Sequence, residues 1–235
     1  MNDQKYLWDS QQKLLRSMLL EPDHFDEAIT LCLDQHAMVH LSEMSQIKAV
    51  TFEDELWKDL DETAFCTMPT GKDETIAWSL WHITRIEDIT MNILVADENQ
   101  VINREQWLER MNAKVCDTGN SMTDEEILAF SVRINRQELR KYRIAVGRKS
   151  REIIQSLQPA DLKRKIEPAR LQRVLDERGV LPVDGARWLV DFWGRKNVAG
   201  ILLMPLTRHQ KVHINESTRL KKKCQRGRCD GTGSY

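Results

Sequence analysis

Five histidines fall at spacings that suit metal chelation or acid–base chemistry: His36 with His40, His82 alone, and His209 with His213. Imidazoles four residues apart sit one helical turn from each other and can hold a single cation. A third from a facing helix completes a three-nitrogen site, with bonds of about 2.0–2.1 Å for zinc and one position left open, the arrangement of a catalytic rather than a structural zinc. Both pairs carry the template H-x-x-V-H-x-x-E, ending at Glu43 and Glu216. Each glutamate is expected on the histidine face, as an extra ligand, as an acceptor that orients an imidazole, or as a general base. The repeat is cheap at helical spacing and is read as coincidence rather than duplication. A zinc protease is excluded, because the general-base glutamate of H-E-x-x-H is replaced by Gln210 or Ala37. A carboxylate-rich di-iron bundle fits poorly, since it needs E-x-x-H and more inward acids.

The elements that must position these residues follow a helical period throughout, with only 10 glycines and 6 prolines as punctuation. The pattern predicts an all-α chain. A first helix is expected over residues 5–20, ended by Pro22, and a second from a cap at Asp23 to about residue 45. After short turns, a long helical pattern runs from about residue 73 to 111. Thr123 with Asp124, Glu125 and Glu126 marks the start of another, running to about residue 157. A shorter helix over 161–178 is interrupted by Pro168, and a last one over 184–222 should kink or restart at Pro205. Four long helices with short additional ones make a helical bundle. Within it, His82 shares a face with Trp78, Ile86, Ile89 and Ile93. His209 and His213 continue the face of Val198, Leu202 and Leu206, with Arg208 and Lys211 pointing elsewhere, and His36 and His40 continue that of Ile29 and Leu33. All five are expected to look inward, where each ring nitrogen needs a partner.

Composition narrows the class. The chain has 235 residues, 41% hydrophobic and 30% charged, with 35 Lys+Arg against 36 Asp+Glu. That excludes a disordered polyampholyte, and the longest apolar run, residues 198–206, is too short to span a bilayer. The N-terminus has no apolar stretch of the signal-peptide kind, so a cytoplasmic location is expected. Cys32, Cys66, Cys116, Cys224 and Cys229 are an odd count and are not read as a disulfide framework. The balanced charge argues against nucleic acid as a partner. The domain reading is an N-terminal helix packed on the bundle (1–22), the bundle (23–222) and a basic, disordered tail (223–235). The tail's cations, Arg219 to Arg228, are read as a solvated helix end.

The segment Ile76-Ala-Trp-Ser-Leu-Trp-His82-Ile-Thr-Arg-Ile-Glu87, followed well over a hundred residues later by Thr207-Arg-His209-Gln-Lys-Val-His213, resembles the DinB/YfiT-like superfamily of metalloenzymes across roughly residues 25–220. The resemblance implies a DinB-like four-helix bundle of unusual topology. It also implies a divalent metal, zinc or nickel, on His82, His209 and His213, and a homodimer. Relatives of this kind include enzymes that use low-molecular-weight thiols, as S-transferases or as an isomerase. The leading expectation is therefore a metal-dependent enzyme acting on a small-molecule substrate by activating such a thiol, or a water for hydrolysis. His36, His40 and Glu43 are the candidate catalytic proton acceptors and Glu216 a group behind the ligands. His36 and His40, absent from the usual triad, could instead line a pocket mouth or replace a ligand. The alternative is a non-enzymatic metal-binding or stress-response protein, for which a fourth protein ligand closing the metal would speak.

Overall fold

A computed structural model describes residues 2–71 and 74–230. Among these no β-strand forms, and the only sheet-like pairing is one antiparallel bridge between Lys165 and Asn197. The chain begins with α1 (Asn2–Met18) and α2 (Phe25–Met38), then the short α3 (Ser42–Ser45), α4 (Phe52–Trp57) and α5 (Glu62–Cys66). Next come α6 (Ile76–Asp88), which continues as a π-helical segment over Ile89–Ala96, α7 (Trp107–Arg110), α8 (Asp124–Arg133) and α9 (Arg136–Ser156). It ends with α10 (Pro168–Asp176), α11 (Asp184–Gly194), α12 (Val198–Leu203), a π-helical turn over Met204–Arg208, and α13 (His209–Asp230).

Several expected helices are shorter than their periodicity suggested, each for a local reason. The second helix stops at Met38 and resumes only as α3, with His24 rather than Asp23 at its N-cap and no side-chain cap bond. The helix expected from residue 73 starts after Thr75, whose hydroxyl accepts from the Trp78 amide. The Thr123 start carries a full capping box with Glu126, but the helix breaks at Ile134 because Asn135 caps a new one, accepting from the amides of Gln137 and Glu138. The last long stretch breaks in the same way at Asn197, which accepts from Gly200. At Pro205, which has no amide hydrogen to give, it widens into a π turn instead of kinking apart. Gln12 of α1 donates to the Leu203 carbonyl at 3.1 Å and to the Thr207 hydroxyl at 2.9 Å, holding that turn. The basic segment expected to be disordered is helical through Asp230, and residues 231–235 lie outside the described part.

Four long helices close a ring. Helix α6 packs on α9 and α13, and α2 packs on α9 and on the π turn before α13. Consecutive long helices α2 and α6 thus lie across the ring, not side by side. Helix α6 is buried on every face, from Ile76 to Asp88. Of its apolar residues, Ile76, Ala77, Leu80, Trp81 and Ile83 belong to one hydrophobic cluster, with Phe130 and Tyr142, and Ile86 to another, with Trp193 and Leu202. Between them lies a belt of buried polar side chains: Thr84, Arg85, Glu87 and Asp88. Belts of this kind survive in a core only when fully partnered. Arg85 donates to Asp88 at 2.8 Å and to Gln100 at 2.6 Å, and Arg143 of α9 donates to Glu53 at 2.8 Å and to the Val39 carbonyl at 2.8 Å.

Candidate metal centre

His82, His209 and His213 converge, each offering a ring nitrogen within 4.8 Å of the others. The Nε2 atoms of His82 and His209 stand 3.3 Å apart. That separation is close to the edge of a tetrahedron whose arms are about 2.0–2.1 Å, and so suits two nitrogens sharing one zinc-sized ion. The His82 Nδ1–H donates to the Thr118 carbonyl at 2.8 Å, which can only accept, so the lone pair of Nε2 is the one turned to the centre. His213 Nδ1 lies 3.5 Å from the Glu216 carboxylate. The donor set, three imidazoles of which one is locked in its tautomer by a carbonyl, fits a divalent transition metal.

Burial keeps the imidazoles uncharged, as metal ligands must be. The ring of His82 is pushed down to about 4, chiefly by burial with the Thr118 bond opposing, and that of His213 to about 3 by burial and the nearby His82. His209 is held well below its ordinary value by burial and its two neighbours. His82 also stacks on Trp78, ring centroids 4.6 Å apart and nearly parallel.

A loop holds this arrangement, and no feature of the histidine pattern pointed to it. Residues 117–119 present three successive carbonyls to α6: Asp117 accepts from Trp81, Thr118 from His82 and Gly119 from Trp78. Gly119 has a φ of +76°, and a Cβ there would come within 2.7 Å of Trp78 Nε1. Only glycine takes both the left-handed backbone and the close approach. The signal present in the sequence was the Asp-x-Gly turn, whose Asp117 carboxylate accepts from the Gly119 amide at 2.7 Å. Glu74 was also missed. It falls just before α6 and forms with His213 and Glu216 a second group of ligand atoms within 4.8 Å.

His36 and His40 are not part of this centre. Helix α2 buries the line Ala28, Cys32 and His36, leaving Ile29 and Leu33 half-buried, and His40 lies beyond the helix end. Both imidazoles are enclosed, at 0% and 1% exposure, so they line no mouth. Each Nε2–H donates to one oxygen of Glu87, at 2.8 and 2.9 Å, and the Gln210 amide donates to the same carboxylate at 2.9 Å. These are hydrogen-bond distances, shorter than the edge between two ligands of one ion. His40 is pushed down to about 3 by burial, with Glu87 opposing. Burial alone would raise the Glu87 carboxyl, but the two imidazoles hold it well below the usual range. Gly147 of α9 makes the room, since a Cβ there would meet His40 Nδ1 at 2.9 Å.

Glu43 is not brought to either cluster. Because α2 ends at Met38, the H-x-x-V-H-x-x-E face does not continue, and Glu43 sits on the surface with a 58% exposed side chain, paired with Arg140 at 2.9 Å. Glu216, on unbroken α13, does keep its place beside His213. Lys211, expected to point away from the histidines, does so, but inward against Phe52 rather than to solvent.

Comparison with known proteins agrees with the helical fold. No curated protein matches the chain. A crystal structure of a conserved protein of Enterococcus faecalis is similar in fold, with a TM-score of 0.55 and 17% identity, over 83% of this chain and 96% of that one. The model of the DinB superfamily matches residues 54–214, which span α4 through the two histidines of α13. The chain belongs to the DinB superfamily.

Proposed function

We propose that this protein is a divalent-metal-dependent enzyme, with His82, His209 and His213 as ligands. It would activate a low-molecular-weight thiol, in S-transfer or isomerisation, or a water in hydrolysis. The carrying observation is the 3.3 Å approach of His82 and His209 Nε2, with His82 held in the ligand tautomer by Thr118. A bound metal would act as a Lewis acid, lowering the pKa of a thiol or water at its open position. The chain supplies the rest. The three imidazoles stay neutral at pH 7, Trp78 fixes the His82 ring plane, and Glu216 and Glu74 flank His213 as acceptors for the released proton. Burial raises the Glu216 carboxyl above the usual range, with Arg219 opposing, which brings it nearer to what a general base needs.

The test is metal analysis of the purified protein together with thiol titration of its cobalt(II)-substituted form. One equivalent of metal per chain, lost in His82→Ala, is expected, as is a thiol-dependent change in the cobalt absorption. A protein with no stoichiometric metal, or a His82→Ala variant that keeps it, contradicts the reading. Glu74 and Glu216 favour one competing reading, a non-catalytic metal-binding protein in which a carboxylate closes the coordination shell. An absorption that neither a thiol nor azide perturbs, as a shell with no open position would give, would support that instead.

A further inference from the structure

The opposite side of α13 from His209 and His213 carries a different feature. Lys211 is only 4% exposed, yet among the described residues its ammonium meets no hydrogen-bond acceptor and no carboxylate at ion-pair distance. It lies over the Phe52 ring, 2.6 Å from the centroid, with Trp8 5.9 Å away. An aromatic face offsets part of the cost of desolvating an ammonium, but it takes none of the three N–H donors, which are left for whatever occupies the adjoining pocket. Lys221, about three turns further along the same helix, shows the satisfied alternative. Its ammonium donates to the carbonyls of Glu55, Leu56 and Lys58 at 2.7, 3.0 and 2.7 Å.

Lys211 borders a pocket of about 170 Å³ between α1, α4 and α13. Lys5 and Arg219 also line it, with Glu55 as its one acidic lining residue and the charge of Asp9 of α1 also acting on Lys211, so cations still outnumber carboxylates around it. Asn215 and Thr218, one and two turns beyond Lys211, add neutral polar groups, while Phe52 and Ile214 form an apolar wall. We propose that this pocket binds a small organic anion. Its carboxylate or phosphate group would accept hydrogen bonds from Lys211 with Lys5 and Arg219 around it, and its apolar part would lie on Phe52 and Ile214. The site is separate from the metal centre and does not depend on it.

The test is calorimetric titration of the full chain, stripped of metal and then dialysed free of chelator, with inorganic phosphate and, separately, with benzoate, so that no cation at the histidines can hold either anion. Saturable binding of at least one, one per chain, is expected. Phosphate alone would assign a phosphate ligand, and benzoate alone a carboxylate. Lys211→Met keeps the aliphatic stem and should weaken binding about tenfold or more. Arg219→Gln, at an exposed position, should weaken binding by a smaller factor and leave Tm unchanged. Absence of saturable binding by both anions, or binding unaltered in both variants, overturns the proposal.

Discussion

His209 with His213 and His36 with His40 are pairs of one residue type at one spacing, yet their surroundings differ in kind. In the first cluster two ring nitrogens face each other at 3.3 Å, and the third group behind them is a carbonyl that forces His82 to present a lone pair. In the second, both Nε2–H groups are spent on Glu87 at 2.8 and 2.9 Å. A carboxylate at the centre converts imidazoles into donors, whereas a carbonyl at the back leaves them free to be ligands. The second cluster therefore acts as a clamp that ties α2, α6 and α13 to one buried anion across the ring of helices. Its Gln210 sits beside His209, so the clamp and the centre share a backbone.

The comparison can be broken at several points. The largest effect is expected at the centre: His209→Ala or His213→Ala should cost stoichiometric metal, while His36→Ala should keep it in whatever fraction folds, as metal analysis of purified variants would show. Next, Glu87→Ala should lower unfolding free energy by about 3–5 kcal/mol in urea titration, since removal of one member of a buried charged network strands the rest. Gly119→Ala, which disturbs the loop behind His82 without touching a ligand, should weaken metal affinity by about 10–100-fold with a smaller loss of stability.

Acid sensitivity follows from the clamp as well. His40 refuses its proton down to about pH 3, whereas the unfolded chain takes one below about 6.5. The unfolded state then binds more protons, so the metal-free protein should lose stability as pH falls from 6.5 towards 3, with a slope of up to about 1.4 kcal/mol per pH unit from this group. Stability above pH 7 should be flat with respect to it. The smallest effect belongs to Glu43→Gln, expected within about 0.5 kcal/mol of wild type and without change in metal content.

The sequence made the all-helical class and the inward-facing histidines legible, because apolar periodicity survives even where helices break. It did not reveal the breaks at Asn135 and Asn197, although Asn135 followed by Glu138 is a start signal of the Thr123 kind. Glu87 was hidden for another reason. A glutamate within a helix ordinarily faces water, and only the all-round burial of α6, a tertiary property, places it in the core. Residues 117–119 were hidden because their part is played by backbone carbonyls, which leave no mark in side-chain spacing. Glu43 failed because the template assumed a continuous helix through residues where the chain turns.

Anomalous diffraction from crystals of the protein grown with zinc or nickel would locate the ion directly. One peak bounded by His82, His209 and His213, with none between His36, His40 and Glu87, is the expected result. A peak at the Glu87 cluster, or no peak at the three histidines, would contradict the assignment.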